Sequence, residues 1–297
     1  MSGRREHRVS TPDGRFLRVV EEGRPDGAAV LFHHGGPGSG DPYFRHVEDA
    51  LERGIRLVGY DRPGYGDSTR HAGYAIADTA EDVRAIAEAL GIDRLAVWGM
   101  SAGGPHALAC AALLPDLVVA AATLASPAPY GAPGFDYFTG MGQANVDDVR
   151  MMLDDEAGAR ARVPADRDQV LALTPETMAK GMETLMSDAD VAAHNAEFSK
   201  WIVDGMHKGL EHSGDGWWDD GIASLRPWGF DVGSIRIPFQ LWHGRQDRFV
   251  PFQHGEWLAA HIPGVDAHIT DEDGHGSLVQ RRVPEVHEWL LDHFESA

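Results

Sequence analysis

Cysteine is almost missing. Cys110 stands alone in 297 residues, which excludes an internal disulfide and a thiolate metal site. Basic residues are scarce, 26 against 46 acidic, for a formal net charge of −20. A nucleic-acid binder needs a basic surface to replace counterions, so the balance argues against that class, and adsorption to anionic membranes is disfavoured. There is no apolar run of about 18 residues, so no transmembrane helix is expected. The opening residues MSGRREHRVS lack the apolar stretch of a secretory signal. With no disulfide to form, a reducing, cytoplasmic location is expected. What remains is ordinary globular composition, 43% hydrophobic and 24% charged, enough for a substantial core.

The chain alternates strand and helix signals. Residues 7–22 read as two short strands around the turn Pro12-Asp13-Gly14. Continuous apolar runs at Ala28–His33, Ile55–Tyr60, Leu95–Trp98 and Leu117–Leu124 read as strands buried on both faces. Helices are expected at 41–53, 77–90 and 102–114, the second stopped by Gly91 and the third closed by Pro115. Strand patterning resumes at Ile235–His243, followed by a helix at 252–262, a strand at 265–270 and a helix at 277–294. This alternation predicts an α/β fold, a mostly parallel sheet covered by helices on both faces. Between 127 and 232 the strand signal stops. That segment holds seven of the nine methionines, four of the eight tryptophans and all three lysines, and reads as mainly helical. The organisation expected is therefore a core of 1–126 and 233–297 with a helical lid at 127–232.

Gly99-Met100-Ser101-Ala102-Gly103 follows a strand and precedes a helix, the setting of a nucleophile elbow. Glycines flank the serine because side chains there would collide with neighbouring backbone. A glycine-rich loop, His34-Gly35-Gly36-Pro37-Gly38, follows an earlier strand. It lacks the Gly-Lys-Ser/Thr ending of a phosphate loop. Its Gly36 N–H and the Ala102 N–H are the expected oxyanion donors, and His34 is expected to brace the loop. A serine hydroxyl needs a base. Of sixteen histidines, His275 lies in a Gly-flanked loop at the end of the last strand, and Asp247 at the end of the strand before it. The order Ser101, Asp247, His275 is that of a serine–acid–histidine triad on such a sheet. Asp271 and Asp273 compete with Asp247, but they sit too near His275 in sequence to reach its ring easily.

Together these residues, with the loop Asp61-Arg62-Pro63-Gly64-Tyr65-Gly66-Asp67-Ser68, resemble the α/β-hydrolase fold superfamily over about 7–126 and 233–297. The resemblance implies a serine nucleophile, an acyl-enzyme and no metal or organic cofactor; the Asp61–Ser68 loop would be structural. His-Gly-Gly-Pro-Gly is similar to the loop of prolyl aminopeptidases. Those enzymes usually carry Gly-Gly-Ser-Trp-Gly at the elbow and Asp-Gln-Arg-Gly at the second loop, where this chain differs. An aspartate nucleophile, as in haloalkane dehalogenases and epoxide hydrolases, is disfavoured by Ser101. The expectation is a serine hydrolase for a small carboxylic ester or lactone, acting on a small-molecule acyl substrate. Alternatives are a prolyl aminopeptidase-like peptidase, for which the acidic lid would attract a free amine, a thioesterase or carbon–carbon bond hydrolase, and a non-catalytic binding member of the fold. The Met and Trp residues of the lid, including Met141, Met206, Trp201, Trp217, Trp218 and Trp228, are expected to form chiefly the lid's own core.

Overall fold

A computed structural model describes residues 3–181, 185–193 and 195–296. An antiparallel pair opens the chain, β1 (Arg5–Ser10) and β2 (Phe16–Gly23). There follow β3 (Ala28–His33), α1 (Phe44–Glu52), β4 (Ile55–Tyr60), α2 (Thr79–Leu90), β5 (Leu95–Met100), α3 (Gly104–Leu113) and β6 (Val118–Leu124). Among the described residues six helices come next: α4 (Gln143–Asp154), α5 (Glu156–Leu171), α6 (Pro175–Gly181), α7 (Asp188–Ala193), α8 (Ala196–Gly209) and α9 (Asp215–Leu225). The chain closes with β7 (Phe239–Gly244), α10 (Phe252–His261), β8 (Asp266–Thr270) and α11 (His275–Ser296). Among the described residues no strand lies between β6 and β7, and no helix is long and apolar enough to cross a membrane.

The eight strands of the described residues form one sheet in the order β1-β2-β4-β3-β5-β6-β7-β8, parallel from β4 onward. The continuous apolar strands are explained by period-two alternation between two buried faces. On β3, Leu31 packs with Val83, Ile86 and Leu108 of α2 and α3, while Val30 and Phe32 join Val47 of α1 and Leu278, Val286 and Leu290 of α11. On β5, Val97 takes the first face, and Ala96 and Trp98 the second. From β3 the chain places β4 on one side and β5 on the other. The strand order therefore reverses at β3 and β5, and a crevice opens at their carboxyl ends, where ligands bind in such sheets.

Several element boundaries shift by one to four residues from the sequence expectation, and two of the shifts lie next to the functional loops. The strand expected at Ile235–His243 begins only at Phe239 and extends to Gly244. A short 3₁₀ turn at Val232–Ser234, tied by the Asp231 side chain to Gly233 N–H, leads into Ile235, and Pro238 has no N–H for the ladder. The last helix begins at His275 itself rather than at 277.

The inserted segment is fastened to the sheet by charge buried between them. Asp220 of α9 faces Arg62, which is fully buried in the loop after β4. Tyr65 Oη donates to Asp220 at 3.1 Å, Tyr74 Oη donates to its other oxygen, and His106 Nε2 lies 3.1 Å from that oxygen. Burial opposes the Asp220 charge, but Arg62 and the hydrogen-bonded His106 outweigh it and hold the carboxyl well below the usual range. At the surface Arg70 makes a two-pronged contact with Asp219, at 2.6 and 2.9 Å. Asp220→Ala leaves the Arg62 guanidinium buried without its countercharge. The expected loss is about 3–5 kcal/mol in urea denaturation, with the double variant Arg62→Met/Asp220→Leu losing less than Asp220→Ala. Because the Asp220 pKa is depressed by folding, its contribution is complete above about pH 4 and is lost as pH falls below that.

Candidate active site

Ser101 follows the last residue of β5 and has φ 51°, the left-handed region that a side-chain-bearing residue enters only when its surroundings impose it. The surroundings are backbone. A Cβ on Gly99 would lie 2.3 Å from the Gly103 carbonyl oxygen, and one on Gly103 would lie 2.2 Å from that of His33. Strand, turn and α3 can pack this closely only through glycine. The result aims Ser101 Oγ upward at the carboxyl end of the sheet.

There the three sequence-predicted residues meet. His275 Nε2 lies 3.0 Å from Ser101 Oγ, and His275 Nδ1 lies 2.7 Å from Asp247 Oδ2. The other oxygen of Asp247 accepts from Phe249 N–H at 2.8 Å and Val250 N–H at 2.9 Å, so the loop after β7 fixes the carboxylate. Phe249 also stacks on the His275 ring, with centroids 4.9 Å apart. The competing acids are engaged elsewhere: Asp273 contacts Arg281 and Arg282, and Asp271 contacts Arg245.

The loop after β3 lies beside the elbow. A Cβ built on Gly36 would come within 3.1 Å of Ala102 Cβ, so the two expected donor residues are neighbours. Ala102 sits in the first turn after the strand, where a helical N–H has no acceptor four residues back. His34 braces the loop: its Nδ1 is 2.6 Å from the Gly35 carbonyl oxygen, and its Nε2 accepts from Arg62 N–H at 3.2 Å. Those partners assign the proton to Nδ1. Burial and then the Arg62 charge push the His34 pKa down, which keeps the ring neutral. The Arg62 side chain donates to the carbonyls of His34 and Gly35. The buried pair with Asp220 thus holds the back of the glycine loop as well as the inserted segment.

Sequence reasoning missed Asp190 of α7. Its Oδ2 accepts from His275 N–H at 3.2 Å, and its Oδ1 accepts from Ser277 N–H at 2.9 Å and Ser277 Oγ at 3.0 Å. Asp190 is the N-terminal cap of α11, supplied by another helix, which is why α11 starts at His275. Burial pulls the His275 pKa down, but Asp247, by charge and hydrogen bond, and then the charge of Asp190 outweigh it, so the net shift is upward. The sequence did carry a local trace. Ser187 and Asp190 are spaced as a capping box, with Asp190 N–H on Ser187 Oγ at 3.2 Å and Ser187 N–H on Asp190 Oδ2 at 3.3 Å.

Above these groups lies a cavity of about 770 Å³. Ser101, Ala102, Gly36 and His275 line it, together with Met100, Met141, Met151, Met152, Met178, Met186 and Met206. Trp201, Trp217 and Trp218 also face it. This departs from the expectation of a self-contained lid core. Trp228 packs in the core on the α3 side of the sheet, and Trp201 also packs against the core cluster on the opposite side.

In an NMR titration, with His275→Gln to assign the resonance, the His275 imidazole is expected to titrate above the ordinary value of about 6.5. Asp190→Asn removes a negative charge and should move the midpoint down. An unchanged midpoint would leave Asp190 as a helix cap only.

The family model described as alpha/beta hydrolase fold matches residues 28–281. The AB hydrolase superfamily protein YisY of Bacillus subtilis (strain 168) is 27% identical over 278 residues, 90% of each chain. The bifunctional esterase/perhydrolase DCH of Acinetobacter calcoaceticus is 35% identical over 122 residues, 41% of this chain and 44% of that one. Among solved structures, an esterase (EaEST) from Exiguobacterium antarcticum superimposes with a TM-score of 0.72 at 22% identity, covering 98% of this chain and 100% of the other. A sheet reversed at β3 and β5, a strained serine at the carboxyl end of β5 and a family match across most of the chain lead to one conclusion: this protein belongs to the α/β-hydrolase fold family.

Proposed function

We propose that this hydrolase cleaves a carboxylic ester or lactone through an acyl-enzyme on Ser101, with residues 127–232 as the lid over the site. The observation that carries the reading is the hydrogen-bonded run Ser101 Oγ, His275 Nε2, His275 Nδ1, Asp247 Oδ2, with its serine end in the cavity. The esterase named among the partial relatives agrees with it.

His275 Nε2 takes the Ser101 hydroxyl proton as Oγ attacks the ester carbonyl. The carbonyl oxygen becomes an oxyanion, which the N–H groups of Gly36 and Ala102 stabilise; one such donor is worth about 2.7–4 kcal/mol in a transition state. The proton on His275 passes to the leaving alcohol oxygen, the C–O bond breaks, and Ser101 holds the acyl group. A water then gives its proton to His275 and attacks the acyl carbon. The same proton returns to Ser101 Oγ as the acid leaves. Asp247 remains a carboxylate throughout, fixing the tautomer and stabilising the imidazolium.

Ser101→Ala is expected to lower turnover of p-nitrophenyl butyrate by about 10³-fold or more with an unchanged far-UV spectrum. Asp247→Asn should cost about 10⁴-fold. Ester turnover that survives Ser101→Ala would overturn the mechanism, and Ser101-dependent release from prolyl p-nitroanilide in place of the ester would move the reading to a peptidase. The base must be neutral, so kcat/KM should rise with pH, with its midpoint above the ordinary histidine value because the His275 pKa is raised.

A further inference from the structure

Every methionine of the described residues lines one cavity: Met100 at the end of β5 and six more from the inserted segment. A methionine side chain is unbranched, with three rotatable bonds and a polarizable sulfur, so a wall of them fits varied apolar shapes and contacts aromatic rings favourably. Three tryptophan rings complete that wall. The volume, about 770 Å³, lies in the upper part of the roughly 300–1,000 Å³ range that holds drug-sized ligands.

The charges around the cavity are placed against an anion. Among the described lining residues Arg162 is the one permanent cation, and it is half-exposed. Two carboxylates flank it, Asp166 at 3.4 Å and Asp148 at 3.6 Å, so it offers no unmatched positive charge. Asp190, also on the wall, has both oxygens engaged by backbone and serine donors. His254 is held neutral, its pKa pushed down to about 3 by burial and then by the charge of His243. The segment from 127 to 232 carries 8 basic and 19 acidic residues, a surrounding field that repels carboxylates. A carboxylate drawn into this cavity would lose its hydration without gaining a countercharge.

We propose that the site takes an uncharged ester whose acyl portion is bulky and apolar, a medium-chain alkyl or aryl group, and excludes esters whose acyl chain ends in a second carboxylate. This rests on the ester-hydrolase reading above and adds the substrate class.

The test pairs turnover with binding. For turnover, p-nitrophenyl acetate, butyrate and octanoate are compared with the p-nitrophenyl half-ester of suberic acid, which matches octanoate in length but ends in a carboxylate. With about fourfold gained per buried methylene, kcat/KM should rise by about 100-fold if half or slightly more of the six added methylenes are buried, and by up to about 4,000-fold if all are, from acetate to octanoate. The suberate half-ester should fall about 100-fold below octanoate. For binding, Ser101→Ala protein is titrated with octanamide and with suberamic acid, read by fluorescence of the cavity tryptophans. Octanamide should bind at least about tenfold more tightly. Met152→Lys, which sets a cation on the wall, should shrink the octanoate-to-suberate ratio about tenfold. Ser101-dependent turnover with no chain-length rise, or with the suberate preferred, would overturn the substrate class while leaving the hydrolase reading standing. Absence of ester turnover with octanamide still preferred in binding would support the cavity assignment and overturn the hydrolase reading. Equal or reversed binding of the two amides would overturn the proposal directly.

Discussion

The site depends on one backbone constraint, the turn that holds Ser101 at a positive φ between β5 and α3. Nothing in serine favours that conformation. It persists because Gly99 and Gly103 let strand, turn and the end of β3 approach at distances a Cβ would forbid. From that constraint the rest follows. The hydroxyl rises above the carboxyl edge of the sheet, Ala102 lines the same space, and the glycine loop after β3 comes to lie against it. The sheet's reversal at β3 and β5 supplies the crevice that a raised serine can use.

A positioned hydroxyl still needs its partners in register, and two buried acids from the inserted segment help to provide it. Asp220 neutralises Arg62, and Arg62 in turn holds the carbonyls of His34 and Gly35 from behind. Asp190 caps the helix that His275 opens and adds negative potential at its ring. The inserted segment is therefore more than a cover. It contributes charge that sets the geometry of the glycine loop and the basicity of the imidazole. Such pairing explains how acids can sit in a low-dielectric interior: each is surrounded by donors or a guanidinium. Most of the remaining acidic surplus stays at the surface.

Much of this was legible in the sequence because the informative features are local. The apolar strands, the Gly-x-Ser-x-Gly turn, the glycine loop after β3 and the strand-end positions of Asp247 and His275 are each set by neighbours a few residues away. The contacts that escaped are distant ones. Asp190 meets His275 across 85 residues, and Asp220 meets Arg62 across 158. In sequence each is one of nineteen acids in its segment, with nothing to mark which is buried. The late start of β7 escaped for a different reason. The apolar residues Ile235 and Ile237 read as strand, although Pro238 withholds a ladder donor. The cavity-facing methionines and tryptophans looked like core because apolar content alone does not distinguish residues that pack on one another from residues that surround a ligand.

The central claim is that Ser101 is the nucleophile that carries the acyl group. The most direct measurement is peptide mass spectrometry of protein mixed with p-nitrophenyl octanoate and quenched in acid within the first turnovers. The account predicts one octanoyl adduct, on the peptide containing Ser101, absent from Ser101→Ala protein. Sustained turnover with no adduct, or an adduct on another residue, would contradict it.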